Sequence, residues 1–270
     1  MTPNPTASRS ADTPAVVSVP RPIEYLSPAA QVSMADRWFE IASIDHFWIR
    51  RRFEVLQRLA GHLIGQAEQL AEIGCGHGLL QRQIEDAYGK GVTGFDLNAF
   101  ALQHNESRIS RVCCYDIFER QPDFAGRFDV IFLFDVLEHI SNDEGFLNAV
   151  LFHLKPQGIL IINVPAGQWA FSSYDTAAGH IRRYTMRTLR QSAARSGLIP
   201  VAWTYWGLPL VPVLLLRKFW LLGQRNQSTI ISAGFDSRSA TVNKVMHSFS
   251  KLEPLPQRFL GTSLMLTLQR

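Results

Sequence analysis

The sequence predicts an α/β fold with a doubly wound sheet, and three observations carry that expectation. Short apolar runs alternate with amphipathic stretches through the middle of the chain, as βαβ units with right-handed crossovers require. One of those runs, residues 128–134 (Phe-Asp-Val-Ile-Phe-Leu-Phe), is nearly all apolar, as a strand buried on both faces should be. A chain of 270 residues, 46% hydrophobic and 19% charged, is long enough for one large domain with a well-buried core.

Residues 1–22 are rich in Thr, Pro, Ser and Ala, and bury too little to offset the entropy of ordering; they read as a disordered tail. Their apolar patch, Ala15-Val16-Val17, is too short for a secretory h-region, so a cytoplasmic chain is expected. Residues 23–66 read as a helical segment, its helix at 36–61 with Trp38, Phe39, Phe47, Trp48 and Phe53 as apolar contacts. A core at 67–206 follows, with strands expected at 69–73, 91–95, 111–115, 128–134, 158–164 and 200–205. Helices are expected at 79–87, 99–105, 144–154 and 186–196. An apolar helical insertion occupies 207–258, and 259–270 holds the final core strand.

The net charge of +4 comes from scattered arginines, with no dense basic block interleaved with aromatics, so nucleic acid is not an expected partner. Cys75, Cys113 and Cys114 have neither disulfide-framework nor zinc spacing. They read as small buried apolar residues in a reducing compartment.

The first core strand runs into Leu70-Ala71-Glu72-Ile73-Gly74-Cys75-Gly76-His77-Gly78. Glycines there let the backbone turn from strand to helix and approach a ligand without a Cβ in the way, at the carboxyl edge of the sheet. Backbone N–H groups at the helix start favour an anionic group such as a carboxylate. The dinucleotide pattern GxGxxG would place its third glycine at Leu79, so a nicotinamide-dependent oxidoreductase is disfavoured. Asp96 ends the second strand about 20 residues past the loop, where a carboxylate can accept ribose hydroxyls. Asp116 follows the third strand, and Phe134-Asp135-Val136-Leu137-Glu138-His139 ends the fourth.

An acidic residue followed by three alternate glycines, with acidic residues at the next three strand ends, resembles the class I S-adenosylmethionine-dependent methyltransferases. The resemblance covers roughly residue 68 to the C-terminus and implies a Rossmann-like, seven-stranded sheet, mostly parallel with one antiparallel strand near the C-terminus. It implies S-adenosylmethionine as cofactor, with Glu72 near its methionine amino group and Gly74, Cys75, Gly76, His77 and Gly78 around the amino acid portion. Asp96 and Leu97 would meet the ribose, and Asp116 and Ile117 the adenine. Phe134, Asp135 and Val136 would lie beside the sulfonium.

After the fifth strand, Trp169, Tyr174-Asp175 and Gly179-His180-Ile181-Arg182-Arg183-Tyr184 resemble a bacterial branch of these enzymes with a Gly-His-x-Arg-Arg-Tyr signature. Phe47-Trp48 and 261–264 resemble that branch too. The loop after strand five lies over the same sheet edge, so Trp169, Tyr174, Asp175, Arg182, Arg183 and Tyr184 are candidate acceptor contacts, and the resemblance adds Glu138, after strand four, as facing the acceptor. Alternatively, this cluster simply locks a lid in place. His139 and His180 are the candidate general bases, because an imidazole titrates near neutral pH. Asp135, Glu138 and His139 resemble a divalent-ion cluster of some quinone-biosynthesis O-methyltransferases, but neighbours on a strand-to-helix turn can point apart, and no metal is assigned.

The expected activity is methyl transfer to a small-molecule, glycan or lipid-like acceptor, at oxygen; the alternative is a scaffold that binds cofactor without turnover. The stretch 206–222 is apolar but interrupted by Pro209, Pro212, Arg217 and Lys218, and falls short of the ~20 residues a spanning helix needs. It is either a cap over the acceptor pocket, or a homodimer contact, or a patch that dips into a membrane surface.

Overall fold

The computed structural model describes residues 22–31, 42–224, 230 and 239–270. All but the last residue of the expected tail at 1–22, and the start of the expected first helix with Trp38 and Phe39, lie outside the described residues. In chain order the elements are β1 (Glu24–Tyr25), α1 (Phe47–Gln66), β2 (Leu70–Ile73), α2 (Leu79–Tyr88), β3 (Thr93–Asp96), α3 (Ala99–Gln103) and β4 (Val112–Cys114). There follow β5 (Phe128–Phe134), α4 (Asp143–His153), β6 (Leu154–Pro165), α5 (Ser173–Ala177), α6 (Met186–Arg195), β7 (Ile199–Trp206), α7 (Val211–Trp220), α8 (Ala240–Ser250) and β8 (Ser263–Gln269).

The strands form one sheet in the order β1-β4-β3-β2-β5-β6-β8-β7. All neighbours are parallel except at β8, which runs antiparallel to both β6 and β7. The expected α/β architecture is therefore present, antiparallel strand included. One correction concerns the edge. Glu24–Tyr25, within the segment expected to be helical, adds an eighth strand beside β4, held by a two-pronged ion pair from Arg111 to Glu24. Two residues are too few for a period-two signal, so the sequence did not announce it.

Chain order turns back between β2 and β5: the sheet grows one way through β3 and β4, then the other through β5 and β6. That reversal opens a crevice at the carboxyl ends of β2 and β5, the usual ligand position in such sheets. The inner strands are dry on both faces. Ile131, Leu133, Leu160 and Ile162 pack against α4 and α6, while Val130, Phe132 and Ile161 pack against α1 and α2.

Helix α1 begins later than expected, at Phe47, where the His46 ring caps the Trp48 N–H. At its far end, Lys90 Nζ donates to the carbonyls of Ile64, Gly65 and Ala67, giving partners to acceptors a helix end leaves open. Both ends of the helix are thereby fixed, and with them the arginine it sends to the crevice.

Candidate active site

The glycine loop is fixed by geometry that only glycine tolerates at two of its positions. Gly74 has φ +76°, and a Cβ there would meet Val136 Cγ2 at 2.3 Å. Gly78 has φ +77°, and a Cβ would meet the Asn105 amide at 2.5 Å. The Gly74 and Cys75 N–H groups donate to the Phe95 carbonyl, and the Gly76 N–H donates to Asp96 Oδ2 at 2.8 Å. The second carboxylate oxygen of Asp96 accepts from the Asn98 N–H at 2.8 Å. Loop and second strand end are thus one unit.

Glu72 sits on β2 just below this turn, buried, with its Oε2 hydrogen-bonded to nothing among the described residues. Burial pushes its carboxyl up to about 8; Arg52 opposes this, and Asp96 and Asp135 reinforce it. Burial likewise raises Asp96, Asp135 and Glu138 above the ordinary carboxylate range. Four carboxyls around one crevice, Glu72 and Glu138 buried and Asp96 and Asp135 half-buried, make a site short of positive charge. A ligand bearing a cation would relieve that shortage.

The cation the protein itself supplies was missed in the sequence. Arg52, on α1, places Nη1 2.5 Å from Asp135 Oδ2, with its guanidinium 5.1 Å from the rings of both Trp48 and Phe134. Its signal was the i, i+4 spacing from Trp48, which puts both on the inward face of the helix. Asn163 donates to the other Asp135 oxygen at 2.8 Å and accepts from Trp206 Nε1 at 2.9 Å. These bonds hold Asp135 at φ +57°, a conformation a non-glycine residue adopts only when its surroundings over-determine it.

The other expected cofactor contacts divide. Val136 lies against Gly74, and Phe134 against Arg52, both at the crevice. Leu97 packs beside Cys75, Leu102 and Ile23. Asp116 follows β4 at the same edge, but its carboxylate caps the Phe118 N–H and its own N–H donates to Ser27 Oγ. Ile117 belongs to the core. The buried His77 ring turns away from the loop, its Nε2 3.1 Å from the Ala42 carbonyl.

A second cluster forms where the loop after β6 crosses the turn after β5. The Ile181 N–H donates to the Glu138 carbonyl, and Tyr184 pairs with Ala166 while its hydroxyl donates to the Leu137 carbonyl. This pinning brings together residues more than 35 positions apart. Asp175, fully buried, accepts from Arg183 Nε at 2.7 Å and from the Ser172 N–H at 2.9 Å, and its Oδ1 lies 3.0 Å from His180 Nδ1. His180 and Arg183 outweigh burial and hold Asp175 down to about 2. The His180 Nε2 faces Glu138 Oε1 at 3.9 Å.

Glu138 is buried, with neither carboxyl oxygen hydrogen-bonded among the described residues. Burial, with Asp135 and Asp175 nearby, raises it well above the usual range. His139 packs edge-on to His180, centroids 4.9 Å apart, with Nδ1 3.1 Å from the Gly179 carbonyl. Burial lowers it to about 4. Donor atoms of Glu138, His139 and His180 all lie within 4.8 Å of one another. Asp135, which the sequence grouped with Glu138 and His139, turns instead to Arg52 and Asn163.

The remaining expected acceptor residues are scattered. Arg182 points outward to the Ser141 carbonyl and, at 3.6 Å, to Asp143. Arg183 serves Asp175 and the Ala166 carbonyl. Tyr174 is buried beneath the Arg217 guanidinium, 4.1 Å away, and Trp169 is partly exposed at the rim.

Residues 44–202, more than half of the chain, match the family described as a methyltransferase domain. A probable S-adenosylmethionine-dependent methyltransferase of Mycobacterium tuberculosis is 27% identical over 184 residues, covering 65% of this chain and 64% of the relative. A ubiquinone biosynthesis O-methyltransferase of Bordetella avium is 31% identical over 135 residues, covering 47% of this chain and 55% of the relative. The chain thus spans less than two thirds of the length of these curated relatives. Among solved structures, a SAM-dependent methyltransferase from Archaeoglobus fulgidus superposes with a TM-score of 0.56 at 15% identity, over 87% of this chain and 97% of that one. The [4+2]-cyclase SpnF superposes at 0.54 and 15% identity, over 82% and 80%. At that identity the likeness concerns fold alone, and chemistry must come from the site.

Proposed function

Because the chain belongs to the methyltransferase-domain family, we propose that it moves the methyl group of S-adenosylmethionine to a hydroxyl oxygen of a small-molecule, glycan or lipid-like acceptor. The cofactor supplies an electrophilic methyl on a positive sulfur. The residues of the crevice do the rest. Glu72, poor in hydrogen bonds and awaiting a cation, takes the cofactor's ammonium. Asp96, already oriented by Gly76 and Asn98, takes the ribose hydroxyls. The resemblance of 179–184 to a bacterial branch of these enzymes accords with this reading.

The observation that carries the oxygen acceptor is the Asp175–His180 pair. Asp175 stays ionised and accepts the Nδ1 proton of His180, which leaves the lone pair on Nε2. With the cofactor held there, an acceptor hydroxyl would give its proton to that nitrogen as its oxygen bonds the methyl carbon and the carbon–sulfur bond breaks, S-adenosylhomocysteine being the leaving group, and Asp175 would stabilise the imidazolium that forms. Burial holds His139 near 4, which makes that ring a poor base at neutral pH. The relative named for O-methylation supports the same choice of atom. The methyl group carried by isotope-labelled S-adenosylmethionine is therefore expected to be recovered in an ether, stable to mild alkali. Label recovered in an alkali-labile ester or on nitrogen would contradict a hydroxyl acceptor.

A further inference from the structure

Two helices of the insertion present apolar stripes to solvent. On α7, Leu216, Phe219 and Trp220 are all more than half exposed, with Val213 one turn earlier on the same face. The opposite face is used: Val211 and Leu214 are buried, Leu221 packs on Tyr174, and Arg217 stacks over that ring. On α8 and just beyond, Val242, Val245, Phe249 and Leu252 repeat at i, i+3, i+7 and i+10, again outward, while His247 and Ser250 face in. Phe259 is the most exposed large apolar side chain among the described residues, at 84%.

Charge says what covers this surface. Residues 207–258 hold seven of the chain's 27 Lys and Arg but two of its 23 Asp and Glu; of the seven, Arg217 is turned in over Tyr174, and Arg225 and Arg238 lie outside the described residues. Neither α7 nor α8 carries an acidic residue. Glu253 is withdrawn from the surface, buried against Arg51 and the N–H groups of Gly207 and Leu208. Lys244, Lys251 and Arg258 flank the apolar stripe at exposed positions, with Lys251 paired to Glu54 at 2.9 Å and Arg258 over the Trp203 ring at 4.1 Å. Two copies of such a face repel each other, whereas an anionic surface attracts it while its aromatics enter the headgroup layer. No described helix is long and apolar enough to cross a membrane, so contact would be at the surface.

We propose that α7 and α8 form a docking face for a bilayer with anionic headgroups. Lys218 Nζ donates to the Trp169 carbonyl at 2.5 Å, so a docked chain holds the loop leading to His180 near the lipid. Docking itself does not depend on the methyl-transfer reading; arrival of the acceptor from the lipid phase does.

Co-sedimentation with vesicles of phosphatidylglycerol and phosphatidylcholine, and with vesicles of phosphatidylcholine alone, tests it without any turnover. The full chain is expected to bind the anionic vesicles, and to release as salt is raised. The double variant Phe219→Ser, Trp220→Ser should bind at least roughly tenfold more weakly, and Lys244→Gln should weaken binding too. Ile109→Ser, an exposed apolar site beside β4, should bind as the parent does. Circular dichroism and S-adenosylmethionine binding check that each variant is folded. The proposal is overturned if the chain does not sediment with anionic vesicles at low salt, or if the Phe219/Trp220 variant binds like the parent. A solution dimer that the same variant turns into a monomer would also overturn it, since a second copy would then own the face.

Discussion

Replacing His180 by alanine should slow single-turnover methyl transfer by roughly 10²–10⁴-fold, the range a positioned general base contributes. Cofactor affinity should stay within about threefold of the parent. The split follows from position. His180 sits on the loop after β6, its Nδ1 on Asp175 and its Nε2 toward Glu138, whereas the glycine loop and Asp96 are organised among themselves. Asp175→Asn should act in the same direction, because an amide no longer favours the tautomer that keeps Nε2 unprotonated. His139→Ala should cost much less, since burial makes that ring a poor proton acceptor. If His180→Ala turns over within about threefold of the parent, the acid–base reading is wrong and the 172–184 cluster is only a lock on the loop.

Glu72→Gln should reduce affinity for S-adenosylmethionine by roughly 10²–10³-fold, as expected when one partner of a buried charge-assisted bond is removed. It should not unfold the chain. With its carboxyl pushed up to about 8, Glu72 carries a proton at neutral pH in the ligand-free protein, and a glutamine of the same shape stands in for it. The pH dependence separates the two roles. The folded chain keeps a proton that the unfolded chain releases near 4.5, so the parent should lose stability as pH rises from there toward about 8. The glutamine variant lacks that component of the slope. Thermal melts across this range, beside binding titrations, read both effects. Parent-like affinity in the variant would remove Glu72 from the cofactor site.

What the sequence makes legible is whatever repeats with a short period or is marked by glycine. The strands at 128–134 and 69–73, the turn at Gly74–Gly78 and the acidic strand ends all carry local signals, and the observed sheet places them at one edge. What it hides is long-range convergence. Arg52 meets Asp135 across 83 positions, and Glu138 meets His180 only because Ile181 and Tyr184 bond back to the turn after β5. The sequence gives Glu138 a place among the acceptor contacts but says nothing of its burial; the fold buries it completely. Arg182 and Arg183 look equivalent as neighbours, yet one faces outward to Asp143 and the other inward to Asp175. Local pattern cannot choose between two adjacent side chains when the partner of each comes from another element.

Calorimetric titration of the purified chain with S-adenosylmethionine, repeated at pH 7 in buffers of different ionisation enthalpy, bears most directly on the claim that these strand ends form one cofactor site. Saturable binding is expected, with release of a proton as the arriving ammonium drives Glu72 to ionise, and with that release fading as pH rises past about 8. No measurable binding, either of the cofactor or of S-adenosylhomocysteine, would contradict it.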